Sequence, residues 1–187
     1  MKSTIIAIAI ILTSQFAYAQ KTAGGITMPS KIKSEGTGLV INGIGIREKL
    51  WIDLYVAGLY LTAETKDAKK IISSNNKMLI KLHIVSGLVS SEKMSASIEE
   101  SFETSTGGKT EKLRTRINAF KAIFLKKPIV EGVVFDISYV PGKGTMVYTN
   151  GKYQKTIKGL DFKTALFNIW LGEIPADEDL KENLLNR

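Results

Sequence analysis

The sequence predicts an α+β fold, a large antiparallel sheet with helices gathered on one face. Three observations carry this. Strand-like runs and helical stripes arrive in blocks: strands, two helices, three strands, two helices. The strand blocks are joined by short Gly-containing turns of the hairpin kind, Asn150-Gly151 above all. Helical patterns do not alternate with single strands, as a doubly wound parallel sheet would require.

The N-terminus reads as a leader. Lys2 gives a positive start, Ile5 to Leu12 is an unbroken apolar run, and Ala17-Tyr18-Ala19 supplies small residues at a cleavage site. The run is far short of the roughly 20 residues that span a bilayer. The expectation is a signal peptide over residues 1–19, cleavage near Ala19-Gln20, and a periplasmic or secreted protein. Residues 20–37 read as an N-terminal arm, rich in Gly, Ser, Thr and Lys, and residues 38–187 as one domain.

From Gly38 the pattern is β-like, and Asn42-Gly43 inside it predicts a hairpin turn. Leu50 to Leu61 is the longest strand signal, with Gly58 marking a bulge or a close backbone approach. Ala68 to Ile72 predicts a short helix, and Met78 to Val85 a strand with Lys81 and His83 on its polar face. Met94, Ile98 and Phe102 form the stripe of a helix opened by Ser90. Gly107-Gly108 breaks it, and a basic helix with Leu113, Ile117, Phe120 and Phe124 follows up to Pro128. Gly132 to Val140 is a strand, and Thr145 to Thr149 and Lys152 to Ile157 flank Asn150-Gly151 as a hairpin. Asp161 is read as the cap of a helix striped by Phe162, Ala165, Leu166, Ile169 and Trp170. Gly172 is read as its left-handed terminus. Asp177 to Leu185 is a last short helix.

Composition narrows the chemistry. The 187 residues contain no cysteine and one histidine. Thiolate nucleophiles, disulfides and the usual His/Cys zinc sites are thereby excluded. His83 reads as structural, and no acidic run has calcium-loop spacing. Gly43-x-Gly45 lacks the rest of a dinucleotide fingerprint, and Gly142-Lys143-Gly144-Thr145 is a turn and not a phosphate loop. No cofactor and no metal are expected. The net charge is +8, which suits an anionic membrane surface or an acidic ligand, and leaves open a periplasmic interaction module whose basic helix faces lipid or a protein partner. Nucleic acid is not expected, because Phe120 and Phe124 lie on the apolar stripe and not among the cations.

Arg47 stands apart. It sits between an apolar run and the long strand, where its planar fork could meet a carboxylate. Tyr55 and Tyr60 are the phenolic donors within reach.

Three blocks resemble the chalcone-isomerase-like family, in its bacterial exported branch. They are NGIGIREKLWIDLYVAGLYLTAE (42–64), FDISYVPGKGTMVYTNGK (135–152) and LFNIWLGEIPADEDLKENLL (166–185). The resemblance implies an open-faced β-sandwich with a ligand cleft between a large antiparallel sheet and its covering helices. It implies either a cofactor-free isomerase, an intramolecular lyase acting on a chalcone, or a non-catalytic relative that binds a fatty acid through arginine and tyrosine. Arg47 resembles the family's cleft arginine. Tyr55 stands where the plant enzymes have threonine, Ser90 and Ser97 where they have tyrosine and asparagine, and Asn168 near the last polar cleft residue. Two polar groups are thus replaced by small ones. Loss of such donors costs transition-state stabilisation on the order of 2–4 kcal/mol each, so the reading favours binding of a small apolar acid over catalysis. The expected ligand-binding residues are Arg47, Tyr55, Tyr60, Ser97 and Asn168, with Arg47 catalytic if the protein is an enzyme.

Overall fold

A computed structural model describes residues 20–187. The leader read over 1–19 lies outside the described residues. Strands β1 (Lys21–Ala23) and β2 (Ile26–Met28) form a hairpin of their own. Strands β3 (Lys31–Ser34), β4 (Thr37–Lys49), β5 (Ile52–Leu61), β6 (Met78–Ile84), β7 (Val134–Val140), β8 (Gly144–Thr149) and β9 (Lys152–Ile157) make one antiparallel sheet of seven strands in chain order. Helices α1 (Ala68–Ser73), α2 (Ser91–Thr106), α3 (Arg114–Phe124), α4 (Leu160–Leu171) and α5 (Glu178–Leu184) complete the chain. The sheet therefore begins at Lys31, inside the segment read as an arm, because β3 pairs with the start of β4.

The helices cover one face of the sheet. Their stripes meet Tyr55, Ala57 and Leu59 of β5, Ile80 and Leu82 of β6, and Phe135 and Ile137 of β7 in the main core. Phe102, Phe120, Phe124 and Phe162 contact one another there edge-on or tilted, arrangements that add to what their buried area contributes. The β1–β2 hairpin covers part of the other face, where Met28 packs with Leu39, Ile41, Val56, Tyr60 and Leu79. Met28 explains Gly58: a Cβ there would lie 2.4 Å from the Met28 sulfur.

Several local expectations fail for tertiary reasons. Asn42-Gly43 is not a turn; β4 runs through it with one residue bulged at Asn42. The Asn42 amide is buried, donating to the Leu184 carbonyl and accepting from the Thr65 N–H, both at 2.8 Å. Gly43 is needed because α5 lies on it, and a Cβ there would stand 2.1 Å from the Asn183 carbonyl oxygen. Gly43→Ala should therefore cost about 1–3 kcal/mol in a urea titration, by forcing α5 off β4.

The hairpin turn falls instead at Leu50-Trp51, both in the left-handed region with φ of 53° and 62°. The long strand starts at Ile52 and not at Leu50. Leu54 is bulged between the pairs Arg47/Tyr55 and Glu48/Asp53. At the start of α4 the capping residue is Gly159, and Asp161 sits in the first turn bound to Arg116. Gly172 ends α4 in extended backbone, not left-handed. It is small because a Cβ would lie 2.5 Å from the Asn168 carbonyl oxygen.

Candidate ligand-binding site

A cavity of about 490 Å³ lies between the helix-covered face of the sheet and helices α2, α3 and α4. That volume falls within the range of small-molecule sites, about 300–1,000 Å³. Leu82 and Ile137 of the sheet, Phe120 and Phe124 of α3, and Leu166 and Ile169 of α4 line its interior. Its exposed lining residues, Lys49, Leu50 and Ile52 of the β4–β5 tip, Leu88, and Lys93, Ala96, Ser97 and Glu100 of α2, mark the mouth.

The cavity's polar lining includes Arg47, Tyr55, Ser97 and Ser101 together with Lys49, Lys93 and Glu100. The β4–β5 pair sets Arg47 opposite Tyr55, and both line the cavity. The Arg47 side chain is only 17% exposed, and its Nη1 donates to the Glu48 carbonyl at 2.8 Å and to Asp177 Oδ2 at 3.0 Å. Among the described residues the Nε–Nη2 edge of the fork is left for a second anion. Asp177 also caps α5, with Oδ1 accepting from the Leu180 N–H at 2.9 Å, and Oδ2 accepts from the Glu48 N–H at 3.2 Å. One carboxylate thus ties the tip of β4, the guanidinium and the last helix together.

Tyr55 is buried, and its phenol oxygen accepts from the Trp170 indole N–H at 3.1 Å. An indole nitrogen can only donate, so the phenolic proton remains available to a ligand oxygen. Burial pushes the Tyr55 pKa up, opposed by the Trp170 bond and the Arg47 charge. The phenol stays protonated, a donor and not a base.

The structure brings Arg47, Tyr55 and Ser97 to one cavity. It does not bring Tyr60 or Asn168 there. Tyr60 lies on the opposite face of the sheet, in the second core, and donates to the Pro29 carbonyl at 3.0 Å. Asn168 lines a separate hollow with Lys69, Gly172 and Arg187, and its amide donates to the Thr164 carbonyl at 3.0 Å. Ser90 caps α2 through the Lys93 N–H. Asp177 and Trp170 are the partners that sequence reasoning missed. The sequence reading makes Asp177 only the first residue of the last helix; it is the residue before it, its cap, and nothing local shows that its second oxygen reaches across to Arg47.

The basic helix α3 is less free than its composition suggests. Arg114 pairs with Glu99 and Glu103, Arg116 with Asp161, and Lys121 with Glu99. Among the described residues no group of three or more His or acidic side chains could hold a metal ion.

Comparison with known proteins agrees with this architecture. No curated protein matches the chain significantly by sequence. Among solved structures, the crystal structure of a fatty-acid binding protein from Arabidopsis thaliana superposes with a TM-score of 0.72 at 18% identity, over 90% of this chain and 96% of that one. The family model described as chalcone isomerase-like matches residues 20–186, essentially every described residue, and the chain belongs to that family.

Proposed function

We propose that the protein is exported and binds a fatty acid or a similar long-chain apolar acid in the cavity, carboxylate toward Arg47 and Tyr55, without turning it over. The observation that carries this is the lining of the cavity: a largely apolar wall that also carries the mostly buried Arg47 guanidinium and, paired across from it, the protonated Tyr55 phenol. Such a site matches an anion with a greasy tail. The fatty-acid binding neighbour of the same fold supports the reading, and the leader-like N-terminus supports export.

Purified protein, extracted with organic solvent and analysed by mass spectrometry, should release long-chain acids in near-stoichiometric amount. Delipidated protein should gain stability on addition of a long-chain acid, about 2.7 kcal/mol at a hundred times Kd. An unchanged melting temperature at saturating acid, with nothing extracted, would remove the proposal.

A further inference from the structure

The mouth of the cavity exposes more apolar surface than a soluble lip requires. Leu50 is 75% and Trp51 90% exposed at the β4–β5 tip, and Leu88, which lines the same mouth, is 55% exposed. The tip is also conformationally costly. A two-residue turn with both φ positive favours Asn-Gly, yet here it holds the bulky pair Leu50-Trp51. Exposure and strain coincide in two side chains that add little to either core, a pattern found where local cost serves a function.

The hairpin is sided in charge. Lys49 pairs with Ile52 and faces the cavity mouth, where Lys93 of α2 adds a second cation. Glu48 pairs with Asp53 and faces away, toward Thr22 and Ala23. Glu100, on α2, is the acid that lines the cavity. An exposed Trp-Leu tip flanked by lysines fits a bilayer surface: the indole suits the headgroup level, the leucine the acyl boundary, and the lysines the phosphates. A second copy docked mouth to mouth about a two-fold axis would bring its own Lys49 and Lys93 to the same mouth, whereas a phosphate surface pairs both.

We infer that the Leu50-Trp51 tip docks the cavity mouth onto an anionic phospholipid bilayer, so that a membrane-dissolved acid enters the cavity without crossing water. This rests on the fatty-acid reading and adds to it the surface from which the ligand is taken. The chain has two tryptophans, and Trp170 is 5% exposed, so Trp51 is the solvent-sensitive one. On vesicles of phosphatidylethanolamine and phosphatidylglycerol, Trp51 emission shifts to the blue and is quenched by brominated acyl chains. Trp51→Phe abolishes that quenching. Uncharged phosphatidylcholine vesicles bind more weakly.

Trp51→Gly suits the positive φ, so it raises the unfolding midpoint while weakening vesicle co-sedimentation about tenfold or more. It leaves uptake of monomeric acid from solution unchanged, because Trp51 does not line the cavity. Unshifted Trp51 emission on anionic vesicles, or wild-type sedimentation of Trp51→Gly, overturns the inference. So does a concentration-dependent blue shift without lipid, which would assign the tip to a second copy. Vesicle binding with an empty cavity refutes the fatty-acid reading and leaves the docking standing. Cavity binding without vesicle binding does the reverse.

Discussion

Arg47→Ala should lower affinity for a long-chain fatty acid about tenfold to a hundredfold and leave affinity for the matching fatty alcohol nearly unchanged. Hydrogen bonds to a charged group contribute about 1.5–3 kcal/mol, and each 1.4 kcal/mol is a factor of ten. The alcohol keeps the tail contacts and the Tyr55 bond but carries no charge for the guanidinium. Removing Arg47 also exposes the ligand carboxylate to Asp177, which the arginine otherwise neutralises at 3.0 Å. Asp177 retains the N–H groups of Leu180 and Glu48 as donors, so the fold should survive the change. Arg47→Lys should recover only part of the loss, since an ammonium cannot satisfy Asp177 and a second carboxylate through a planar fork. Calorimetric titration of acid and alcohol into both variants measures the effect.

Lys163→Met should destabilise the protein by about 1–3 kcal/mol, read from urea unfolding at neutral pH. Lys163 sits in α4 with no solvent exposure, and its Nζ donates to the carbonyls of Ile71, Ile72 and Ser74 at 2.8–2.9 Å. Those carbonyls end α1, where no backbone N–H of a following turn is left to bond them. The rings of Tyr139 and Phe167, each 5.5 Å away, face the same ammonium. Methionine fills the volume but removes the shared donor: the Ile71 carbonyl keeps the Ser74 hydroxyl at 3.1 Å and the Ile72 carbonyl the Thr164 hydroxyl at 3.5 Å, while the Ser74 carbonyl is left without a donor, a cost of about 1–3 kcal/mol offset in part by relief of the buried charge.

The pH dependence has a defined sign. Burial pulls the Lys163 pKa down to about 8, against roughly 10.4 in an unfolded chain. Between those values the unfolded chain binds more protons, so stability rises with pH. This contribution is complete above about 10.4 and lost as pH falls through about 8. The stability gap between wild type and Lys163→Met should therefore widen from pH 8 to pH 10.

Much of the architecture was legible because periodicity and packing agree. The stripe Met94, Ile98, Phe102 and the stripe Leu113, Ile117, Phe120, Phe124 are buried as spaced, and Asn150-Gly151 turns the β8–β9 hairpin. Asn42-Gly43 carried the same signal and misled, because the Asn42 amide is spent on Leu184 and Thr65 and α5 occupies the space over Gly43. No local preference places a turn at Leu50-Trp51; the pairing of Lys49 with Ile52 imposes it.

In the site, Arg47 and Tyr55, singled out by their chemistry and by the family resemblance, do line one cavity. Tyr60 is separable from the sequence: its odd spacing from Tyr55 puts the two on opposite faces of an unbulged strand, and Tyr60 lies in the second core. The bulge at Leu54 is what lets Ile52 share the cavity side with Tyr55. Bulges leave no sequence mark of their own, so strand parity fails across them. The pairing of Arg47 with Asp177, 130 positions apart, lay beyond any local signal.

A crystal structure of the delipidated protein with a saturating long-chain acid tests the central claim most directly. The account predicts elongated density along Leu82, Ile137 and Phe124, with the carboxylate on the free edge of the Arg47 guanidinium and within reach of the Tyr55 hydroxyl. An empty cavity, or an acid lodged instead in the hollow beside Asn168, would contradict it.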